Sequence, residues 1–173
     1  ADQGVTSGTA PGVFSPSGKV TRGQMAMFLW RSSCGSETVT GNAKSITAGV
    51  YHTCALQQDG TVKCWGRNDH GQLGDGTTTE RKTPTTVPGL SGVAAIAVGE
   101  LHTCALMQGG TVKCWGLNAS GQLGDDTTTE RHAPAQVKRV LDPGQVPPEL
   151  INLSGVAAIT AIGVRTCALM QGG

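Results

Sequence analysis

The chain has 173 residues, a length that suits one ordinary domain or a fragment of a larger protein. It contains 26 glycines and only 3 % aromatic residues, and its 13 lysines and arginines nearly balance 12 acidic residues. Nucleic-acid and membrane-surface binders need a basic excess, so this balance argues against both classes. The apolar run at residues 25–30 is far shorter than the roughly 20 residues of a membrane span, and no longer apolar run occurs. Neither membrane insertion nor a signal peptide is expected.

The first element in chain order is a predicted helix near the N-terminus. Thr21 and Gln24 form a capping box, and Met25 and Phe28 begin an apolar stripe. Residues 12–31 resemble the second half of a surface-layer homology repeat, a family that binds cell-wall polysaccharide. The resemblance implies attachment to a cell-wall polymer outside a bacterium. A helix that only caps the neighbouring sheet is the alternative.

A polar stretch at residues 34–44 is predicted as a linker between this segment, residues 1–33, and a repeat region. In that region residues 111–131 copy residues 61–81 at an offset of 50, with four differences in 21 positions. A fixed period of this length indicates stacked copies of one supersecondary unit. Such a chain is expected to work as a surface rather than around one active site.

Each copy contains a predicted β-hairpin. Asp59 and Gly60 lie between two β-prone runs, which favours a three-residue loop at residues 58–60 with Gly60 in the left-handed conformation. In the resulting register Leu56 faces Val62. The second copy turns at residues 108–110 in the same way.

Four of the six cysteines lie directly opposite each other in these registers. The predicted disulfides are Cys54–Cys64 and Cys104–Cys114, because opposed residues have nearly the spacing that a disulfide requires. Reduced, packed cysteines are an alternative, and so is zinc held with His52, although no fourth ligand recurs. The two remaining cysteines, Cys34 and Cys167, could pair with each other.

Each copy also contains strands around its hairpin. A small-residue apolar strand precedes the three hairpins at residues 46–49, 93–99 and 156–163. Residues 84–87 follow as an edge strand, where proline is tolerated. Four short strands in about 50 residues match one propeller blade. The predicted fold is all-β, with blades at residues 45–94 and 95–157 and a partial blade at 158–173.

The repeated motifs carry a family resemblance. His52-Thr-Cys-Ala-Leu, Val62-Lys-Cys-Trp-Gly-Arg-Asn and Gly71-Gln-Leu-Gly resemble the repeat of the regulator of chromosome condensation family, closest to bacterial alpha-tubulin suppressor-like proteins. The resemblance covers residues 44–173 and implies a seven-bladed β-propeller. The third copy has Arg165 where the others have histidine, and it stops inside its hairpin turn. Closing the ring then requires either further residues or other chains.

No catalytic residue, cofactor or metal is expected. Residue types that recur in the copies are His52, His102, Trp65, Trp115, Asp75 and Asp125. The histidines have no recurring nucleophile and carboxylate beside them, so structural roles are predicted for them and for the tryptophans. The aspartates lack the spaced oxygen ligands of a calcium loop and are predicted to form turns. Asn118 and Asn152 begin glycosylation-acceptor patterns.

The copying is interrupted once, by 13 extra residues between the second and third units, within residues 138–150. Loops on rigid scaffolds often carry contacts with partners, although a tolerated surface loop is the alternative. The candidate partner-binding residues are Lys138, Arg139, Leu141, Pro143, Val146 and Pro147.

Together these features predict a secreted or cell-surface, non-catalytic β-propeller module for protein–protein interaction or extracellular assembly. A secreted inhibitor of the β-lactamase-inhibitory type is the alternative, since residues 91–97 and 65–68 resemble it. Guanine-nucleotide exchange, the activity of the family's eukaryotic founder, is disfavoured by the balanced charge and the paired cysteines.

Overall fold

The computed structural model describes residues 42–140 and 150–172. Those residues form strands and turns without a helix, and none of their elements could cross a membrane as a helix. The predicted N-terminal helix and most of the predicted linker lie outside them. The strands are β1 (Ala43–Ala48), β2 (His52–Gln57), β3 (Val62–Gly66), β4 (Arg81–Thr86), β5 (Val93–Val98), β6 (His102–Met107), β7 (Val112–Gly116), β8 (Arg131–Gln136), β9 (Lys138–Val140), β10 (Leu150–Asn152), β11 (Val156–Ile162) and β12 (Arg165–Met170).

Two four-stranded antiparallel sheets form the body of the fold. Blade 1 has the order β1-β2-β3-β4 and blade 2 the order β5-β6-β7-β8. Every residue of β2 is buried, and this strand lies inside the sheet between β1 and β3. β4 is an edge strand, as predicted from Pro84. It begins earlier than predicted, at Arg81, which pairs with Gly66 after a shift in the register of β3 and β4.

The predicted hairpin register is confirmed. Leu56 pairs with Val62 and Cys54 with Cys64, and Gly60 has a φ of 78° at the end of the three-residue loop. The second hairpin has the same register, with Cys104 opposite Cys114. Each cysteine pair is joined by a disulfide with a Cα–Cα distance of 4.1 Å. The four cysteines are therefore neither reduced nor available as zinc ligands.

A third, two-stranded sheet made of β11 and β12 follows blade 2, and we refer to it as blade 3. It begins at Val156, two residues before the predicted boundary. Cys167 lies opposite Thr160, in the register that places Cys54 opposite Thr47 in blade 1. Cys167 is exposed and has no disulfide partner among the described residues, and its predicted pairing with Cys34 lies outside them.

The predicted insertion loop begins and ends as a β-hairpin. Lys138 pairs with Asn152 and Val140 with Leu150, and the Leu153 amide donates to the Val137 carbonyl at 2.8 Å. The description as a loop is wrong for these residues, because the two arms supply each other's backbone hydrogen bonds. Residues 141–149 lie outside the described part.

The core lies between adjacent sheets rather than within one sheet. One cluster places Leu56, Val62 and Leu73 of blade 1 against Val98 and Trp115 of blade 2. A second cluster includes Leu106 and Val112 of blade 2 with Val156 and Ile159 of blade 3. Each sheet therefore buries its apolar side chains against the next copy, which is the packing expected of stacked repeats.

Candidate functional site

A histidine and a threonine join each blade to the next. Nε2 of His52 in blade 1 lies 2.7 Å from Oγ1 of Thr103 in blade 2. The Thr103 hydroxyl donates in turn to the backbone carbonyl of Gln72, at 2.9 Å. A carbonyl can only accept, so the Thr103 proton is committed to Gln72 and His52 must donate through Nε2–H. This contact fixes the tautomer of His52.

The same contact recurs at the next interface. Nε2 of His102 lies 2.8 Å from Oγ1 of Thr166, whose hydroxyl donates to the Gln122 carbonyl at 3.2 Å. Nδ1 of His102 has no hydrogen-bond partner among the described residues, and a Cβ at Gly99 would lie 2.5 Å from it. The ring is therefore held between glycine backbone and threonine hydroxyl.

Burial keeps these two histidines neutral. It lowers the pKa of His102 from 6.5 to about 4. Burial also lowers the pKa of His52 to about 4, and repulsion from His102 adds to this effect. Each ring donates through Nε2 to a threonine oxygen, and the proton of that threonine goes to a glutamine carbonyl. Neither histidine is therefore placed to act as a base that activates the hydroxyl. The geometry thus agrees with the predicted structural role of both side chains.

Trp115 completes the interface between blades 1 and 2. Its indole Nε1–H donates to the Gln72 carbonyl at 3.0 Å, and the side chain is fully buried. The ring lies over Gly74, where a Cβ would approach Nε1 to 2.6 Å. Trp115 is therefore a packing residue here, because both its polar atom and its faces are occupied. Trp65 is also buried, with 2 % of its surface exposed, but its Nε1–H has no hydrogen-bond partner among the described residues.

The repeated aspartates close a loop. Burial opposes the ionisation of Asp75, but hydrogen bonds from Thr77 and Arg81 outweigh it, and the pKa of this carboxyl is lowered. The Asn68 amide bridges Asp75 to the backbone carbonyls of Thr77 and Thr79. Both Asp75 oxygens thus serve the turn. The described residues contain no group of side chains suited to a metal ion.

Asn118 makes the corresponding loop in blade 2, together with Asp125 and Arg131. Its side chain is fully buried and its amide nitrogen donates to Asp125 at 3.0 Å. A glycan cannot be accommodated there in the folded protein. Asn152, the other acceptor pattern, is exposed on β10.

The predicted partner-binding residues lie partly in the described hairpin. Lys138 and Arg139 are exposed on β9, and the Lys138 amide is anchored on the Gly124 carbonyl at 2.8 Å. The structure does not describe the other four predicted residues: Leu141, Pro143, Val146 and Pro147. With the neighbouring turn, Lys138, Arg139 and Leu150 border an open groove of about 610 Å³.

One contact between blades was not predicted from the sequence. His70 Nδ1 lies 2.7 Å from the Glu130 carboxylate of blade 2. His70 is one of the four positions at which the copies differ, with Ser120 as its counterpart. The difference between His70 and Ser120 was the signal in the sequence that this position has a special role. The sequence did not identify Glu130 as the partner, because it lies 60 residues from His70 and only the stacking of the blades brings the two side chains together.

Comparisons with known families agree with the fold. The regulator of chromosome condensation (RCC1) repeat is matched at residues 59–106 by one family model and at residues 43–72 and 93–122 by another. The S-layer homology domain is matched at residues 1–26. This N-terminal match points to a cell surface, and the two disulfides are typical of an extracellular protein.

Two curated relatives resemble parts of the chain. The E3 ubiquitin-protein ligase HERC2 of Homo sapiens is 49 % identical over 47 residues, which are 27 % of this chain and 1 % of HERC2. Protein pim1 of Schizosaccharomyces pombe is 41 % identical over 69 residues, covering 32 % of this chain and 13 % of pim1. The chain therefore spans a small part of either relative.

Solved structures of low sequence identity share the fold. Prp20p from Saccharomyces cerevisiae matches with a TM-score of 0.59 at 20 % identity, covering 74 % of this chain and 31 % of Prp20p. Human WBSCR16 matches with a TM-score of 0.61 at 22 % identity, covering 80 % of this chain and 34 % of WBSCR16. The chain thus carries regulator of chromosome condensation repeats from residue 43 to residue 122, after an S-layer homology match at residues 1–26.

Proposed function

We propose that this chain is a non-catalytic interaction module displayed at a cell surface, and that it binds a protein partner through the β9–β10 hairpin. The observation that carries the proposal is the hairpin itself. In blade 1 two residues connect Val87 to Leu90, whereas in blade 2 fifteen residues connect Val137 to Leu153. An anchored extension on a rigid scaffold is suited to recognition.

The charge of β9 indicates the kind of partner. Lys138 and Arg139 are adjacent and exposed, and no ion pair engages them within the described residues. Exposed cations without partners favour an acidic protein surface, because complementary charge speeds and orients association. We therefore expect binding to weaken as ionic strength rises.

The absence of catalysis is part of the proposal and is supported by how the recurring polar side chains are used. His52 donates to Thr103, and Asp75 is held by Thr77 and Arg81. None of these groups is free to act on a substrate. A general base needs a proton to accept and a substrate within hydrogen-bond reach.

Attachment to the cell wall is the second part of the proposal. The S-layer homology match at residues 1–26 supports association with a cell-wall polymer. The two disulfides support an oxidising compartment. Prp20p, which shares the fold, binds Gsp1p and histones, and this supports protein recognition as one use of such a scaffold. A bacterial host is proposed from the wall-binding family.

The chain supplies its own control for a binding test. Residues 138–152 are replaced by Pro-Gly, the connection that blade 1 uses between Val87 and Leu90. A second variant, Lys138→Glu with Arg139→Glu, keeps the hairpin and reverses the charge of β9. Each tagged protein is incubated with surface extracts of the organism that produces it, and bound proteins are quantified by mass spectrometry.

The proposal expects a defined partner with wild type, its loss with the short connection, and a reduction of about tenfold or more with the reversed charges. Capture that is unchanged in both variants would remove the hairpin as the binding site. The same preparations, assayed against β-lactamase, test the inhibitor alternative: inhibition by wild type that depends on the hairpin would favour it.

A further inference from the structure

Threonine is abundant before and within β4, where it makes up six of the ten residues from 77 to 86. Some of these hydroxyls hold the fold. Thr77 donates to Asp75 at 2.7 Å, and Thr85 donates to the Thr83 carbonyl at 3.1 Å. The hydroxyls of Thr83 and Thr86 have no partner within the described residues, and both residues are exposed. These two hydroxyls take no part in holding the described fold.

The second copy lacks both threonines. Thr83 has Ala133 as its counterpart and Thr86 has Gln136, whereas the loop threonines at residues 77–79 recur in blade 2. Ala133 is exposed although blade 1 packs against blade 2, so exposure at this position belongs to the blade itself. Because blade 2 forms the same four-stranded sheet with alanine and glutamine, the fold does not require threonine at these positions.

Thr83 lies where β4 departs from its pairing with β3. Between Arg81 and Thr85 the three residues of β4 lie opposite a single residue of β3. Such a bulge bends the strand and leaves its extra residues unpaired. Pro84 keeps the preceding Thr83 extended and has no N–H to donate, which disfavours the addition of another strand at this edge. The Thr83 hydroxyl is therefore presented on an extended segment that an enzyme could reach.

The residues around these threonines have the composition of a glycan acceptor. Pro84 lies between Thr83 and Thr86, and Pro88 follows two residues later. Threonine-rich stretches with proline are typical of O-glycosylated segments. The two disulfides support the extracellular compartment in which a surface glycan would remain.

We propose that Thr83 and Thr86 are acceptors for O-linked hexose, so that the chain is the substrate of a glycosyltransferase with a sugar-phosphate donor. The threonine oxygen attacks the anomeric carbon of the sugar, and the bond from that carbon to the donor phosphate breaks. The phosphate leaves with the electron pair, and the hydroxyl proton passes to a base of the transferase. This inference rests on the proposed cell-surface location and does not involve the β9–β10 hairpin.

Mass spectrometry of the chain purified from the surface of the organism that produces it tests the site. Intact mass detects added sugar, and electron-transfer fragmentation assigns it to a residue. The variant Thr83→Ala with Thr86→Gln introduces the residues that blade 2 already has, so it is expected to fold. Thr78→Ala is the matched control, because Thr78 is exposed, lies in the same threonine-rich stretch and recurs in blade 2.

We expect hexose on residues 83 and 86 of the wild type, complete loss of this added mass in the double variant, and no change in Thr78→Ala. Unmodified chain at the surface would overturn the proposal. Sugar confined to residues 77–79 would also overturn it, as would phosphate in place of sugar on the same hydroxyls.

The location is tested separately in the same cells by fractionation. Chain found only inside the cell would count against the proposed surface location and against the glycan with it. Unmodified chain at the surface would count against the glycan alone. Neither result decides the hairpin test, which compares partner capture with the short connection.

Discussion

His52 and His102 act as neutral donors between blades because the threonine that each one meets gives its own proton to a glutamine carbonyl. The sequence indicated a structural role for both residues, since no nucleophile or carboxylate recurs beside them. It could not indicate Thr103 as the partner of His52, because the two lie 51 residues apart and meet only through stacking.

Removing one of these histidines should weaken the protein substantially. His52→Ala loses a buried side chain and an interblade hydrogen bond, and we expect a loss of roughly 2–4 kcal/mol in the free energy of unfolding. Lys82→Ala is the control, since Lys82 is exposed on β4 and its replacement should cost no more than about 0.5 kcal/mol. Urea denaturation at pH 7 measures both, and equal losses would contradict the account.

The same histidines predict a pH dependence. Their pKa values are about 4 in the folded protein against 6.5 in the unfolded chain, so the unfolded state binds more protons between these values. Stability is therefore full above about pH 6.5 and falls as the pH drops towards 4, by up to roughly 3 kcal/mol per histidine.

The aspartates affect the stability of the protein at lower pH than the histidines do. The pKa of Asp75 and that of Asp125 lie below 3.8, so their contribution is lost only as the pH falls through those lower values. The urea concentration at the midpoint of unfolding, measured from pH 7 to pH 4.5, reports on the histidines and not on the aspartates, because the aspartates titrate at lower pH. A double variant, His52→Gln with His102→Gln, should have a flatter profile. An unchanged slope in that variant would show that other groups are responsible.

At the scale of the element, the hairpins could be predicted almost completely from the sequence. The Asp59-Gly60 turn fixes the register, and the register brings Cys54 opposite Cys64. The inserted hairpin could not be predicted. Its arms at Lys138–Val140 and Leu150–Asn152 are three residues each and lack a period long enough to indicate strands.

Each disulfide closes a short loop and should stabilise its own hairpin. In the chain-entropy description, replacing Cys104 and Cys114 by alanine costs about 2–3 kcal/mol, because the sequence separation is 10 residues. We expect the urea midpoint of the double variant to respond less to reductant than that of wild type. A midpoint in wild type that is insensitive to complete reduction would argue against a stabilising role.

At the scale of the whole molecule, the blades are held together by side chains that enter neighbouring copies. Trp115 of blade 2 lies against Gly74 of blade 1, and His132 against Gly71. Trp115 has Trp65 as its counterpart, whereas His132 has Lys82, so repeated residues supply only part of this stacking. The longest departure from copying is the hairpin insertion within residues 138–150.

Two glycines of blade 1 separate backbone strain from interblade packing. Gly74 and Gly76 both have positive φ, 72° and 81°, but only an added Cβ at Gly74 meets Trp115. Gly76→Ala should cost about 1–2 kcal/mol from the left-handed backbone alone. Gly74→Ala should cost about 1–3 kcal/mol more from overpacking. Similar thermal shifts for both variants would show that the indole is not tightly packed there.

The central claim is that the hairpin between blades 2 and 3, rather than the repeated residues, recognises the partner. Hydrogen–deuterium exchange of the chain with and without its captured partner tests it most directly. We predict new protection at Lys138–Val140 and Leu150–Asn152, with no change at the short connection of residues 87–90. Protection confined to the blades, with the hairpin exchanging as in the free chain, would contradict the account.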